Sequence, residues 1–419
     1  MLSVKDNITT DVLVIGGGMA GLTAAITAKE SAPELDVLVV DRVSASAGFA
    51  GKAARTGAFV VYQVDPERYI EYVVREIGFY LNDQNLLREY VYANNDVVER
   101  MESWGVDLPK DGNTYLYHRL DPYPWAVISV DVPTIKMAHY ARSIGVKFID
   151  RVYVVDLLVA ENRAVGAVGI GLEDGELHVF RAYATVLAAG GQNYGGLMRL
   201  WNGTGSSIGM AYRAGAEMRN AEFGNYAGGF ISARYPAAGI WYVMGHKYLY
   251  NAKGEHIPSK YGLRQLPDSS PEVFLAQYKE LLAGNGPIYV NVAEEAQDPL
   301  STAQLPNLAS KRRPLADRFW MAQAESLASA MPSTALDEVQ HAFQAELSCV
   351  RVNSAMSTSV NGLFAVGDPS FSGSEAFGAV PCPPCMIKGN GLLNALFSGT
   401  RGGMSAAMYA KGVKSYGTK

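Results

Sequence analysis

The chain is poor in cysteine, in long apolar runs and in excess charge, and each shortage removes a class of protein. Three cysteines, Cys349, Cys382 and Cys385, occur in 419 residues. They are too few for a disulfide framework in a chain of this length and too few for a four-thiolate iron–sulfur cluster, so any such cluster must sit on a partner. No run of about 18 apolar residues is present to span a bilayer. The N-terminus passes from MLSVKDNITT straight into a strand pattern, without the basic region and apolar core of a signal peptide. A cytoplasmic protein that does not span a membrane is therefore expected. A net charge of −5 gives no electrostatic reason to expect nucleic acid or an anionic membrane as partner. What the chain does have is 48% apolar residues and enough length for a two-domain globular core. It also has 43 glycines, which cluster at strand ends and follow no fixed period, so solenoid and collagen-like arrays are excluded.

The first glycine cluster carries the strongest motif. Residues Asp11 to Ile15 (DVLVI) read as a short buried parallel strand, Leu22 to Lys29 as an alanine-rich helix, and Val37 to Val40 as a second strand ending in Asp41. Between the first strand and the helix stands Gly16-Gly17-Gly18-Met19-Ala20-Gly21. A GxGxxG spacing in this position, with an acid at the end of the next strand, is the dinucleotide-binding fingerprint in the context it requires. Gly16 permits the tight turn, Gly18 lets the backbone approach a pyrophosphate, and Gly21 lets the helix pack on the strand. The helix start at Met19 and Ala20 offers free N–H groups and a positive dipole end to the phosphates. Asp41, followed by Arg42, is placed to accept hydrogen bonds from ribose hydroxyls.

Further along, residues 64–105 read as helical, with Ile77, Leu81, Leu86, Leu87, Val91 and Val97 interleaved with polar positions. An aromatic, proline-rich loop is expected from Tyr115 to Trp125, holding His118 and Arg119. Strands are expected over Lys147 to Val159, Arg163 to Gly171 and Glu176 to Ala182, the last two joined by the turn Glu173-Asp174-Gly175. A separate short strand, Ala184 to Gly191, ends in the small residues Ala189-Gly190-Gly191, which allow close passage of a cofactor. Residues 225–350 differ in texture, with tyrosine and glycine runs and amphipathic helical patterns at 274–283 and 317–330, and read as an inserted domain. Gly362 to Asp368 (GLFAVGD) is another apolar strand capped by an acid, and Gly389-Asn390-Gly391 opens a last helix, Leu392 to Ala410. Both ends of the chain thus build one cofactor domain around the insertion. A second complete GxGxxG unit for a nicotinamide dinucleotide is lacking, because Gly190-Gly191 has no third glycine and no helix after it.

Gly16 to Gly21 with Asp41, ATVLAAGG at 184–191, GTGSSIGMAYRAGA at 203–216 and GLFAVGD at 362–368 resemble, in this order, the flavoprotein subunits of the fumarate reductase and succinate dehydrogenase family. The middle of the chain is most similar to the alpha subunit of dissimilatory adenylylsulfate reductase, in NRAVGAVG at 162–169, GIWY at 239–242, YNAKGE at 250–255 and NGPIYV at 285–290. The resemblance implies an α/β fold: a glutathione-reductase-like, Rossmann-type FAD-binding domain formed by residues 1–223 and 351–419, with an α+β capping domain inserted at 224–350. It places the substrate between the cap and the isoalloxazine ring. Carried over position by position, Gly16, Gly18, Met19, Ala20 and Gly21 meet the FAD pyrophosphate and Asp41 and Arg42 the adenosine end. Val154, Ala189 and Gly190 join the cofactor-binding set, and Asp368 accepts from a ribityl hydroxyl. Gly391, Leu392 and Leu393 present N–H groups and a helix dipole to the flavin N1/O2 edge, which carries negative charge when reduced.

Three departures from the family refine these expectations. The arginine that dicarboxylate reductases carry ahead of the last turn has no counterpart in Cys385-Met386-Ile387-Lys388-Gly389-Asn390, which argues against fumarate or succinate as substrate. No histidine lies within 42–57, where covalent members carry their flavin-linked histidine, so FAD is expected to be non-covalent. The arginine-rich run of the adenylylsulfate reductases is replaced by AGGFISARYP at 227–236. Candidate substrate-binding or catalytic groups are Arg119, Arg234, His246 and Lys247, cationic or hydrogen-bonding residues in aromatic, glycine-rich segments. Cys382 and Cys385, at CxxC spacing a few residues before the flavin-facing turn, are candidates for a redox-active pair. The expected protein is an FAD-dependent oxidoreductase for a small organic or sulfur-oxyanion substrate, exchanging electrons with a separate ferredoxin-like iron–sulfur protein. A flavin-dependent dithiol oxidoreductase using Cys382 and Cys385, and a non-catalytic FAD electron-transfer subunit, stay open beside it, and no motif fixes an oligomeric state.

Overall fold

The computed structural model describes residues 4–51, 58–78, 80–81, 83–119, 125–191, 203–221, 224–225, 230–232, 245–263, 271–295, 297, 336–341, 345–346, 348–371 and 390–417. The chain opens with β1 (Val4–Ile15), α1 (Met19–Ser31), β2 (Val37–Val40) and β3 (Ala58–Gln63), followed by helices that include α2 (Gln84–Tyr92) and α3 (Asn94–Ser103). Next come β4 (Tyr117–Arg119), β5 (Trp125–Val130), β6 (Lys147–Ile149), β7 (Val152–Ala160), β8 (Arg163–Gly171) and β9 (Leu177–Leu187). A second group comprises β10 (Phe230–Ser232), β11 (Leu249–Tyr250), α4 (Pro271–Leu282), β12 (Ile288–Asn291) and β13 (Leu336–His341), and the chain returns with β14 (Leu363–Ala365) and α5 (Asn390–Gly417).

The principal sheet has the order β6-β2-β1-β9-β8-β7, with β14 also bonded to β9. Strands β6, β2, β1, β9 and β14 run parallel, while β7, β8 and β9 form an antiparallel meander. Two sequence expectations are corrected here. The strand expected from Asp11 begins at Val4, and the segments read as separate strands, 176–182 and 184–191, form the single strand β9. Its first half pairs with β8, as in Gly166 opposite Arg181, and its second half pairs with β14, as in Leu187 opposite Ala365. Only the second half is enclosed on both faces, so burial changes from alternating to continuous along one strand.

Helix α1 is buried at every residue from Met19 to Ala28, which explains its alanine-rich, non-amphipathic composition. It packs against the sheet and against α5, which touches the same sheet, and the contact between the two helices is close because small residues face each other. A β-carbon on Gly399 would lie 2.7 Å from the Ala20 carbonyl oxygen, and one on Gly403 would lie 2.3 Å from that of Ala24. The two matched steps of four residues show that α1 and α5 run parallel. The far end of α5 is tied down by Lys414, whose Nζ donates to Asp11 Oδ2 at 2.8 Å.

The Tyr115 to Trp125 segment, expected as a loop, is also corrected where it is described. Thr114–Tyr115 is a short strand, and β4 pairs antiparallel with β5, which pairs in turn with β3. Strands of two or three residues are too short to show periodicity in a sequence.

The second group forms a four-stranded antiparallel sheet, β10-β13-β12-β11. It has its own small core of Leu249, Ile257, Val273, Ala276, Ile288, Val290 and Val339. The buried carboxylate of Glu280 on α4 fastens it, accepting from Asn251 Nδ2 at 2.7 Å, Asn285 Nδ2 at 2.9 Å and Tyr261 Oη at 2.7 Å, with Lys260 Nζ at 2.9 Å. Burial alone would raise the Glu280 pKa, but these four donors outweigh it and hold the carboxyl down at about 2. Among the described residues, no helix is long and apolar enough to cross a membrane.

Candidate functional site

The C-terminal ends of β1, β9 and β14 lie side by side at one edge of the sheet, where the chain leaves β1 and the strand order departs in both directions. In open α/β sheets this is where ligands bind. The turn after β1 is built from bare backbone. Gly16 has φ +103°, and a β-carbon there would lie 2.6 Å from the Ala188 carbonyl oxygen. A β-carbon on Gly21 would lie 1.8 Å from the Gly16 carbonyl oxygen, so this glycine is what lets α1 close onto the turn. Gly18 differs: the nearest atom to its would-be β-carbon is Gly51 Cα at 3.5 Å. Gly18 is also the N-cap of α1 and supplies no side-chain cap, so the first N–H groups of the helix, at Met19 and Ala20, remain available to an anion.

Asp41 leaves the end of β2 and turns back over this loop. Its Oδ2 accepts from the Gly17 N–H at 2.6 Å and its Oδ1 from the Val43 N–H at 2.8 Å. Burial pushes its carboxyl above the usual carboxylate range, against the pull of these two amides and of neighbouring Arg42, and nearby Asp150 adds to the rise. Asp150 is a site residue that sequence reasoning does not single out. It accepts from both the backbone N–H and the hydroxyl of Ser46, and so holds the 45–47 turn beside the glycine loop. No local pattern signals this pair, because 104 residues separate its members. Val154 is buried in β7, a strand that starts next to Asp41 through the Val152 N–H to Asp41 carbonyl bond.

On the other side of Gly16, the end of β9 continues into Ala189, Gly190 and Gly191. The Ala189 N–H donates to Ser207 Oγ at 3.1 Å, another contact invisible in the sequence. Gly190 has φ +80° and no atom within 4 Å of a would-be β-carbon. The Gly191 N–H donates to Asp368 Oδ2 at 3.2 Å, which joins the third strand end to the second. The Gly367 N–H donates to Ser398 Oγ on α5 at 2.8 Å, fixing that helix to the same edge. Since α5 runs parallel to α1, the start of α5, with Gly391 and Leu392 half-buried and Leu393 buried, faces the same way as the start of α1.

The residues at this edge fit a dinucleotide. Gly18 and Gly190 leave space where side chains would intrude, two helix N-termini point to one edge, and carboxylates stand at both ends of the crevice. The structure thus brings together Gly16, Gly18, Met19, Ala20, Gly21, Asp41, Arg42, Ala189, Gly190, Asp368 and the start of α5. The other candidates are apart from it or undescribed. Arg119 lies on β4 and His246 in the short 3₁₀ turn Gly245–Tyr248, with only their backbones described. Lys247, in the same turn, gives its carbonyl to His256 Nε2 at 2.8 Å. Arg234, Cys382 and Cys385 lie outside the described residues.

The FAD binding domain family model matches residues 11–229, just over half of the chain. The fumarate reductase flavoprotein subunit of a Serratia species is 27% identical over 297 residues, covering 66% of this chain and 47% of that protein. The chain spans about half the length of the curated relatives it matches. Among solved structures, E. coli quinol fumarate reductase aligns with a TM-score of 0.74 at 19% identity, over 98% of this chain and 72% of that one. Adenylylsulfate reductase from Archaeoglobus fulgidus aligns with a TM-score of 0.72 at 21% identity, over 99% and 71%. At such identities the alignments establish the fold, and it is the α/β fold expected from the sequence.

Proposed function

The chain belongs to the FAD binding domain family, and on that premise we propose that it is an FAD-dependent oxidoreductase. Its substrate is a small organic molecule or a sulfur oxyanion, and a separate ferredoxin-like iron–sulfur protein carries the electrons. The observation that carries the reading is the convergence of three strand ends and two helix N-termini on one crevice, with open glycines at Gly18 and Gly190 and carboxylates at Asp41 and Asp368. FAD supplies the electron-transfer chemistry when bound.

The residues of this chain have the following roles. The Met19 and Ala20 amides, at the start of α1, hold the pyrophosphate that Gly16, Gly18 and Gly21 let approach. Asp41 accepts the adenosine ribose hydroxyls with the lone pairs left over from its two amide bonds, and Arg42 and Val154 flank that end. Ala189 and Gly190 pass under the cofactor, and Asp368 takes a ribityl hydroxyl. The start of α5, at Gly391, Leu392 and Leu393, sets a positive dipole against the flavin edge that becomes negative on reduction. Attachment is non-covalent, because 42–57 contains no histidine. Residues 1–223 and 351–419 form the cofactor domain and 224–350 the cap, a division supported by the separate core of the four-stranded sheet. Two relatives whose names specify flavoprotein subunits of fumarate reductase and succinate dehydrogenase support the electron-transfer class and a separate partner.

The test is direct. The purified protein is expected to be yellow and to release intact FAD on acid precipitation. It should then be reduced anaerobically and challenged with organic and sulfur-oxyanion acceptors. A protein that cannot be loaded with flavin overturns the cofactor reading, and a loaded one that no acceptor reoxidises overturns the enzymatic one.

A further inference from the structure

Three buried carboxamides have no part in anything described so far. Gln63 at the end of β3, Asn94 at the start of α3 and Asn394 in the second turn of α5 are 4%, 0% and 1% exposed. All six of their side-chain nitrogen and oxygen atoms lack a hydrogen-bond partner. An unpaired buried amide is costly, and three on mutually packed elements call for a common explanation. β3, α3 and α5 pack on one another pairwise. The backbone N–H and carbonyl of Gln63 are both bonded to the Asn95 side chain at 3.2 Å, which sets the end of β3 against the start of α3. The Tyr90 and Phe397 rings meet at 5.3 Å, and Arg100 Nη1 donates to Thr400 Oγ1 at 3.4 Å, so the chain on both sides of Asn94 meets α5 within two turns of Asn394.

We propose that Gln63, Asn94 and Asn394 line one internal hydration site that binds ordered water and holds the first turns of α5 in place. The chemistry selects the ligand. Three neutral amides offer carbonyl acceptors and N–H donors in a mixed set, which suits a neutral molecule that both donates and accepts. They bring no charge to compensate a buried ion. Water requires two to four polar partners in such a place, and these side chains supply them. The site is sealed from solvent, so it is distinct from the open crevice. It nevertheless bears on it through Asn394, whose carbonyl accepts from the Ser398 hydroxyl at 2.5 Å, the same hydroxyl that holds the Gly367 N–H at the strand edge.

The site is tested on the full-length protein in two ways. A crystal structure with resolved solvent is expected to show water within about 3.2 Å of amide atoms from at least two of the three side chains. The three amides paired by other rotamers to protein groups, without water, would overturn the proposal. Thermal unfolding of Asn94→Leu, Asn394→Leu and the double variant gives the second measure. A shared site makes the decreases in Tm non-additive, the second substitution costing less than half as much after the first. Additive decreases would show separate sites. If a leucine variant does not fold, Asn94→Ser and Asn394→Ser serve in the same cycle.

Discussion

Adding one methyl group to α5 at either of two glycines should have opposite effects on stability, and the contrast measures how tightly that helix presses on α1. In Gly403→Ala the new carbon would sit 2.3 Å from the Ala24 carbonyl oxygen and 2.8 Å from its α-carbon, both backbone atoms that cannot swing aside. Relief requires the helices to part by about 1 Å, given that favourable heavy-atom contacts lie near 3.5 Å. Overpacking of this kind typically costs about 1 to 3 kcal/mol. Replacing glycine in a helix interior recovers about 0.5 to 1 kcal/mol of that. The expected net destabilisation is about 1 to 2 kcal/mol. Gly412→Ala, on the same helix, meets nothing within 4 Å and should gain about 0.5 to 1 kcal/mol from propensity alone. Urea denaturation of the two cofactor-free variants beside the parent protein, followed by far-UV circular dichroism, reads both. Because Ala24 belongs to the helix whose start is proposed to hold the pyrophosphate, Gly403→Ala should also weaken FAD binding while Gly412→Ala leaves it unchanged. If Gly403→Ala stabilises as much as Gly412→Ala, the close crossing of α1 and α5 is not what holds this layer.

Asp41→Ala should weaken FAD binding by about 1.5 to 3 kcal/mol for each ribose hydrogen bond it removes, measured by flavin fluorescence. Because burial raises the Asp41 pKa, parent affinity should be constant at high pH and begin to fall, as pH drops, above the usual carboxylate range. A variant that keeps this pH step would exonerate Asp41. Glu280→Gln should destabilise the chain by about 1 to 3 kcal/mol, since it removes the charge from a buried carboxylate that accepts hydrogen bonds from Asn251, Asn285 and Tyr261. The folded-state pKa of about 2 is below the ordinary value of 4.5, so the difference from the parent should be complete above pH 4.5 and shrink as pH falls toward 2. A difference independent of pH would mean that its hydrogen bonds matter and its charge does not. Anaerobic stopped-flow mixing should show rapid flavin reduction by a reduced ferredoxin and slow reduction by NADH and NADPH, whereas fast reduction by a nicotinamide would refute the proposed electron route.

The parts of the fold that the sequence reveals are those whose environment is uniform along the element. β2 and β8 fall where their composition places them, one buried at every position and the other alternating between buried and half-buried positions. β9 reads as two strands divided at Tyr183 because it passes from an antiparallel meander into the parallel interior, and its two halves carry different periods. The first half of β1 escapes notice for the related reason that Val4 to Thr10 is largely polar (VKDNITT) and is bonded there to β9 alone. At the crevice, the glycines, Asp41 and Asp368 are legible because the bare backbone and acids demanded there leave a compositional trace. Ser46 with Asp150, Ser207, and the trio of Gln63, Asn94 and Asn394 are not. Each depends on a partner brought from a distant element, and ordinary polar residues carry no local sign of that.

The division of β9 between two neighbours also sets the order of events during synthesis. The β8 hairpin can close as soon as residue 187 is made, because its partner is a few residues away. The outer half of the same strand waits for β14, which lies more than 170 residues further along the chain. Asp368 and α5 come later still, and the Lys414 to Asp11 bond joins residues 403 positions apart. Until then the buried strand end at Thr185 to Leu187 lacks one neighbour, and the nascent chain presents an unpaired, largely apolar edge beside the crevice. Closing so long a loop is slow, and the reward arrives all at once when sheet, helix and crevice are completed together. Truncation of even the last helix should therefore leave a chain that aggregates, with no cofactor-free intermediate waiting to be filled.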